Sequence, residues 1–497
     1  MSTPEPTPAP EDQAQQAEAQ VEHVDVLVVG AGLSGIGAAA QVLSRVPGTS
    51  VAVLEGRSAS GGTWDLFRYP GIRSDSDMFT FGYRWRPWPS DTALADGGLI
   101  LDYVRTVARE YDVERRIRYD HWVSAASWSS DERRWTVTYE HEGREQQITC
   151  SMLWGASGYY DYDQGHAPEF PGVEEFGGQV VHPQFWPEDL DYSGKKVVVI
   201  GSGATAITLV PAMAGTAEHV TMLQRSPSYV LTRPGTDPVA AKLSRLPAKL
   251  KQPVVRWKNI LEAVVSYQLF QRKPEWGKKL IRDQTVKQLP DGFDVDTHFR
   301  PAYNPWDQRL CFVPDGDLFR SIRKGEASVV TDTIETFTEK GIRLSSGEEL
   351  EADVVVTATG LKLKAFGGIR FSVDGAEVKM HETMAYKSLM LSGIPNFVYT
   401  IGYTNASWTL KADLVADFAV RVLEEMRERG ASMFVVDKDP TVGERPFMDF
   451  QSGYVVRALD QLPRQGDRAP WMLKQNYLTD LRTIRHDKID DGVLVFR

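Results

Sequence analysis

The apolar positions of this chain fall into short runs separated by glycine-rich turns and amphipathic stretches. Val24 to Val29, "VDVLVV", is apolar except for Asp25 and rich in β-branched residues, as a buried strand is. It runs into Gly30-Ala31-Gly32-Leu33-Ser34-Gly35, and "IGAAAQVLSRV" then predicts a helix. A second apolar run, "SVAVLE", closes on Glu55, twenty residues beyond Gly35. The same order returns as "KKVVVIG", then Gly201-Ser202-Gly203-Ala204-Thr205-Ala206, a helical stretch and "HVTMLQRS". Strand, glycine turn, helix and strand, twice over, predict an α/β fold with two Rossmann-like dinucleotide-binding domains.

Each part of the repeated unit has a physical reason. Gly30 allows the tight turn, Gly32 lets the backbone approach a pyrophosphate, and Gly35 lets helix and strand pack closely. The helix N-terminus then offers free N–H groups and a positive dipole end to phosphates. Glu55 can accept hydrogen bonds from both ribose hydroxyls. In the second unit Ala206 is the permitted variant of the last glycine, and Gln224 stands in the register of Glu55, followed by Arg225. An amide does not repel a ribose 2′-phosphate, and a guanidinium can pair with it. The first site therefore predicts FAD and the second NADPH.

The remaining segments suggest the organisation. "GGTWDLFRYPGIRSDSDM" carries Gly61 and Gly62, Trp64 as a flat wall for a ring system, and Asp75 as a candidate buried carboxylate. "RPAYNPWDQRLCFVPDGDLF" shows no helical period and reads as an ordered loop. "ADVVVTATG" reads as a strand that returns the chain to the first domain. The expected layout is a disordered tail over 1–22, a discontinuous FAD domain over 23–155 and 355–497, a linker over 156–190, and an NADP domain over 191–354. A helical insertion at about 239–290 interrupts the last. This insertion is basic in an acidic chain. A solvated lid over the substrate cleft is favoured over weak contact with a membrane surface.

Composition narrows the classes. The net charge of −11 over 497 residues argues against nucleic-acid binding. Two cysteines, Cys150 and Cys311, exclude a disulfide scaffold and a CxxC relay and suggest a reducing, cytoplasmic setting. The N-terminal stretch lacks the pattern of a signal peptide, and no apolar run is long enough to span a bilayer. No second His, Cys or carboxylate stands at a metal-ligand spacing, so no metal site is expected.

Between the two glycine motifs lies "FGGQVVHPQFWP". Phe176, Gly178, His182, Trp186 and Pro187 match F-x-G-x-x-x-H-x-x-x-W-P, by which type I Baeyer–Villiger monooxygenases are recognised. A second signature of that family is matched by Gly61, Gly62, Trp64, Tyr69, Pro70, Gly71 and Asp75. The chain resembles this family, and "FRYPGIRSDSDM" and "YNPWDQRLC" are most similar to its ethionamide-activating branch. The resemblance implies an FAD- and NADPH-dependent enzyme that inserts one oxygen atom of O2 beside a carbonyl through a C4a-peroxyflavin. It implies Arg309 as the catalytic cation, Asp75 as the carboxylate that orients it, and His182 as part of a segment linking the two domains. The flavin set it implies is Gly30, Gly32, Ser34, Gly35, Glu55, Gly62, Thr63, Trp64, Ser74, Asp75 and Val123. The NADPH set is Gly201, Gly203, Ala204, Thr205, Ala206, Arg225, Ser226, Gln308 and Arg309. Gln308 departs from the family, where a lysine is common. The expected substrate is a small apolar ketone, aldehyde or thioether. A flavin monooxygenase acting mainly on sulfur or nitrogen is the alternative, and a non-oxygenating reductase a weaker one.

Overall fold

The computed structural model describes residues 21–308, 310–448 and 457–497. Residues 1–20 of the tail expected over 1–22, and the candidate cation Arg309, lie outside the described residues. Glu22, expected in the tail, is anchored: its carbonyl accepts the Thr149 N–H at 2.8 Å and its carboxylate pairs with Arg118.

The first unit forms as its pattern predicts. Strand β1 (His23–Val29) leads through the glycine turn into helix α1 (Leu33–Arg45) and then strand β2 (Val51–Leu54), which pairs parallel with β1. The alternation along β1 explains why it is central. Val26 and Val28 pack into one core, and Leu27 and Val29 into another on the opposite face. Strands β3 (Trp122–Ser129), β4 (Arg134–His141) and β5 (Arg144–Gly155) form an antiparallel run, and β5 pairs parallel with β1. Residues Arg370–Val373 and Phe397–Tyr399 return to this sheet beside β3 and β5.

The second sheet is parallel throughout. Its strands are β6 (Gln179–Val181), β7 (Lys196–Ile200), β8 (His219–Gln224), β9 (Ala327–Thr331) and β10 (Val354–Thr357), in the order β9-β8-β7-β10-β6. Helix α2 (Ala204–Ala214) follows β7. Two sequence boundaries are corrected here. The strand in "ADVVVTATG" lies inside this sheet, between β7 and β6, so the second unit extends past 355. Val354, Val355 and Val356 are fully buried because helices or loops cover both faces, and an apolar run of that kind carries no label of the sheet it joins. The segment 156–190 is likewise more than a linker, because β6 is the sheet's edge strand. The chain crosses between the sheets as a ribbon, Tyr160–Gly165 antiparallel to Leu361–Leu363.

The basic segment folds as helices α3 (Ala248–Arg272) and α4 (Pro274–Val286). The stretch from Arg300 on is less irregular than expected. Cys311–Pro314 is a strand parallel to Val230–Arg233, and Asp317–Arg323 is a helix. Helix α5 (Trp408–Arg429) packs on α1 and closes the core of the first unit.

Candidate functional site

The two glycine turns are built alike. Gly30 N–H donates to the Leu54 carbonyl and Gly201 N–H to the Leu223 carbonyl, each at 2.8 Å. Both residues hold positive φ, +105° and +140°. A Cβ on Gly30 would stand 2.5 Å from the Ala156 oxygen, and one on Gly201 2.4 Å from the Ala358 oxygen. Gly32 and Gly203 cap α1 and α2 with no side chain over the helix end, which leaves the first-turn N–H groups open to an anion.

Beyond the turns the sites diverge. Glu55 is buried and accepts the N–H of Ala31 at 2.7 Å and of Arg57 at 3.0 Å. Burial raises its pKa above the ordinary carboxylate range, and the two N–H groups oppose that rise. Gln224, in the equivalent place, is also buried, but its amide donates to the His298 carbonyl at 2.8 Å and to Thr331 Oγ1 at 2.9 Å. Arg225 and Ser226 follow on the exposed surface, and the Ser226 carbonyl accepts from Ser202.

A cavity of about 430 Å³ lies between the two units. Gly30, Gly32, Ser34, Glu55, Gly62, Thr63, Trp64, Ser74, Asp75 and Val123 line it, and Ala204 and Thr205 of α2 reach it from the other side. Trp306, Leu310 and Phe312 contribute an apolar wall. Gly35 and Ala206 lie beneath their turns rather than in the wall. Gly201, Gly203, Arg225, Ser226 and Gln308 are not part of it either. Asp75 is half-buried, where a buried carboxylate was expected. Its loop runs along the cavity wall, which leaves one side of the residue open. Trp64 meets Phe81 edge-on at 5.6 Å.

Two sets of contacts at and behind this wall are not announced by the sequence pattern. Trp408 donates from Nε1 to Ser34 Oγ at 2.8 Å and stacks on Tyr159. Asp65 is buried between Arg57 and Arg105, at 2.9 and 2.8 Å, and so fixes the turn that carries Thr63 and Trp64. Apart from Arg57 on Asp65, these contacts join residues tens to hundreds of positions apart, so no local pattern announces them. The volume suits a drug-sized ligand. Gly62 Cα lies where a Cβ on Gly32 would make ordinary contact, a narrow passage suited to a pyrophosphate. Among the described residues, Ser407 Oγ is buried at the wall with no hydrogen-bond partner. The residues present therefore fit a flavin dinucleotide.

The fingerprint histidine stands elsewhere. His182 Nδ1 accepts the Gln184 N–H at 3.2 Å, and Gln184 donates onward to the Asp161 and Tyr162 carbonyls. A Cβ on Gly165 would collide with the imidazole, so the ring lies flat on the ribbon that joins the two sheets. Burial holds its pKa below the usual imidazole range, with the Gly360 backbone opposing. Phe176 packs against Phe337, and a Cβ on Gly178 would strike the Asp353 carbonyl. Trp186 is half-buried against the core of the second unit, with Pro187 half-buried after it. The segment braces the crossing and is not the crossing itself.

A family profile described as flavin-binding monooxygenase-like matches residues 87–432, well over half of the chain. The chain belongs to that family. This flavin monooxygenase also matches an NAD(P)-binding Rossmann-like domain over residues 28–90. It is 56% identical over 478 residues to the FAD-containing monooxygenase EthA of Mycobacterium tuberculosis, covering 96% of this chain and 98% of that one. It is 47% identical over 480 residues to the probable FAD-binding monooxygenase AlmA of Acinetobacter baylyi, covering 96% of each. In fold it is similar to an oxidised steroid monooxygenase bound to NADP, with a TM-score of 0.71 at 23% identity over 84% of this chain and 88% of that one. An open crystal structure of cyclohexanone monooxygenase gives 0.70 at 21% identity over 84% and 90%. The flavin monooxygenase is thus an oxidoreductase that works with FAD and NADPH on O2 and a small-molecule substrate. No described helix is long and apolar enough to cross a membrane.

Proposed function

We propose that the protein is a Baeyer–Villiger monooxygenase. It converts an apolar ketone, O2, NADPH and a proton into an ester or lactone, NADP⁺ and water. The observation that carries this reading is the cavity onto which the first turns of both helices open, with Asp75, Trp306 and Leu310 in its wall.

FAD would be held by the Gly30–Gly35 turn, Glu55, the Gly62–Trp64 segment, Ser74, Asp75 and Val123. NADPH would be held by Gly201–Ala206, Arg225, Ser226 and Gln308. FAD, when bound, would supply the hydride-accepting and oxygen-transfer chemistry. The chain's own part is electrostatic and steric. Glu55 accepts hydrogen bonds from ribose hydroxyls, while α1 and α2 present N–H groups to the pyrophosphates. Trp306, Leu310 and Phe312 exclude water and receive an apolar carbonyl compound. Arg309 stabilises the negative charge that develops on the substrate carbonyl oxygen as oxygen adds, and Asp75 orients the guanidinium. His182 braces the ribbon, so that the nicotinamide side and the flavin side keep register through turnover.

The test is Arg309→Ala with a ketone panel under isotope-labelled O2. Ester formation should fall about 10²–10³-fold, while reduction of the flavin by NADPH persists. Undiminished ester from the variant would overturn the role of Arg309. Wild-type products confined to sulfoxides and N-oxides would overturn the reaction class.

A further inference from the structure

Helix α3 has two faces, and the sequence pattern accounts for only one of them. Gln252, Val255, Asn259 and Ile260 face inward and are buried. Ile260, Ala263 and Ser266 line the cavity. On the opposite face Leu250, Val254, Trp257, Leu261 and Val265 recur at spacings of three and four, each 44–61% exposed. That spacing makes one continuous apolar stripe along the outside of the helix. Trp276 and Leu280 of α4 are exposed as well. A contiguous stripe of this kind on a water-facing helix calls for an occupant.

Charge decides which occupant. Residues 239–290 hold twelve Lys and Arg against three Asp and Glu, in a chain of net charge −11. Many of these cations pair locally, as Lys251 does with Asp91 and Lys258 with Asp237. Others do not. Lys242 and Arg245 ahead of α3, Lys249 in its first turn, Arg272 in its last turn and Lys273 just beyond it are exposed and form no ion pair among the described residues. Free cations therefore bracket the apolar stripe at both ends. A second copy laid on the same face would set these cations against their own kind. The N-terminal twenty residues are acidic, but Met1 is their one large apolar side chain, so they lack the means to fill the stripe. An anionic lipid surface meets both requirements, with acyl chains for the stripe and phosphates for its ends.

We infer that α3 docks this protein on the surface of an anionic bilayer, lying in the interface without crossing it. The helix that meets lipid on one face walls the reaction cavity on the other. Resting on the function proposed above, docking then favours substrates dissolved in lipid over those dissolved in water.

The experiment is flotation of the flavin-loaded enzyme with vesicles of phosphatidylglycerol and phosphatidylcholine, or of phosphatidylcholine alone. The wild type should float with the anionic vesicles, and high salt should weaken but not abolish binding. Leu250→Glu, Leu261→Glu and Val265→Glu combined should cut binding at least about tenfold. Flavin content and NADPH oxidation with a water-soluble substrate should stay at the wild-type level. Lys249→Glu with Arg272→Glu and Lys273→Glu should erase the preference for anionic vesicles. Failure of the wild type to float overturns the inference. So does a wild-type dimer in solution that the triple glutamate variant dissociates. Flotation needs no turnover, so its outcome stands apart from that of the reaction. The link to substrate is read separately. The triple variant should slow oxidation of a vesicle-dissolved ketone, and equal rates for both proteins would overturn that link alone.

Discussion

The two glycine turns start from nearly the same backbone and end in different chemistry. In each, a positive-φ glycine donates at 2.8 Å to the end of the neighbouring strand, and a helix without a side-chain cap begins three residues later. The first turn is the tighter. A methyl on Gly35 would stand 1.8 Å from the Gly30 carbonyl, whereas the second turn carries a real methyl there, on fully buried Ala206. The first also points a buried carboxylate at its cavity. The second buries an amide in hydrogen bonds to its own unit, at His298 and Thr331, and leaves an arginine in water. On the function proposed here, phosphate binding would rest on the shared backbone, and choice of nucleotide on the residues at the end of the second strand.

Four substitutions would break or sharpen this contrast. Gly35→Ala should have the largest effect. Relieving the overlap costs about 3 kcal/mol, and the protein should purify with little flavin, which absorbance at the flavin band would show. Arg225→Ala comes next. Preference for NADPH over NADH, read from the ratio of kcat/KM values, should fall about 10- to 100-fold with the flavin site unchanged. An undiminished ratio would place 2′-phosphate recognition elsewhere. Glu55→Gln should act more mildly and with a signature in pH. A buried acid with a raised pKa loses its proton first in the unfolded chain, so stability declines as pH rises from the ordinary carboxylate pKa toward the raised one. The melting temperature of flavin-depleted wild type should show that decline, and the glutamine variant should not. Gly203→Ala should be the gentlest for the fold. Nothing lies within 4 Å of the added carbon, so thermal stability should hold while KM for NADPH rises.

Much of this was legible in the sequence because it is local. Each strand–turn–helix unit occupies about thirty consecutive residues, and each glycine's task follows from its place in the turn. The contrast between Glu55 and Gln224 was visible for the same reason. What escaped was non-local. The strand in "ADVVVTATG" was given to the wrong sheet because its partners, β6 and β7, lie more than 150 residues earlier. Cys311–Pro314 read as loop because four residues ending in proline show no period, and its support is a parallel partner at Val230–Arg233. Trp408 on Ser34 and Arg105 on Asp65 could not be seen without the fold. For α3 the helix was legible, but its outward apolar stripe required knowing which face is covered.

The ribbon between the sheets has a consequence for how the molecule can be remade. The second unit leaves the first at Gly165 and rejoins it at Leu361, and these two residues are paired neighbours. Topologically it is a guest whose two ends meet, so a nucleotide lobe from a relative could be grafted at that seam without cutting a strand of the host sheet. Phe67 and Tyr69 of the host, which are buried in the guest's core, mark where such a chimera must match its donor.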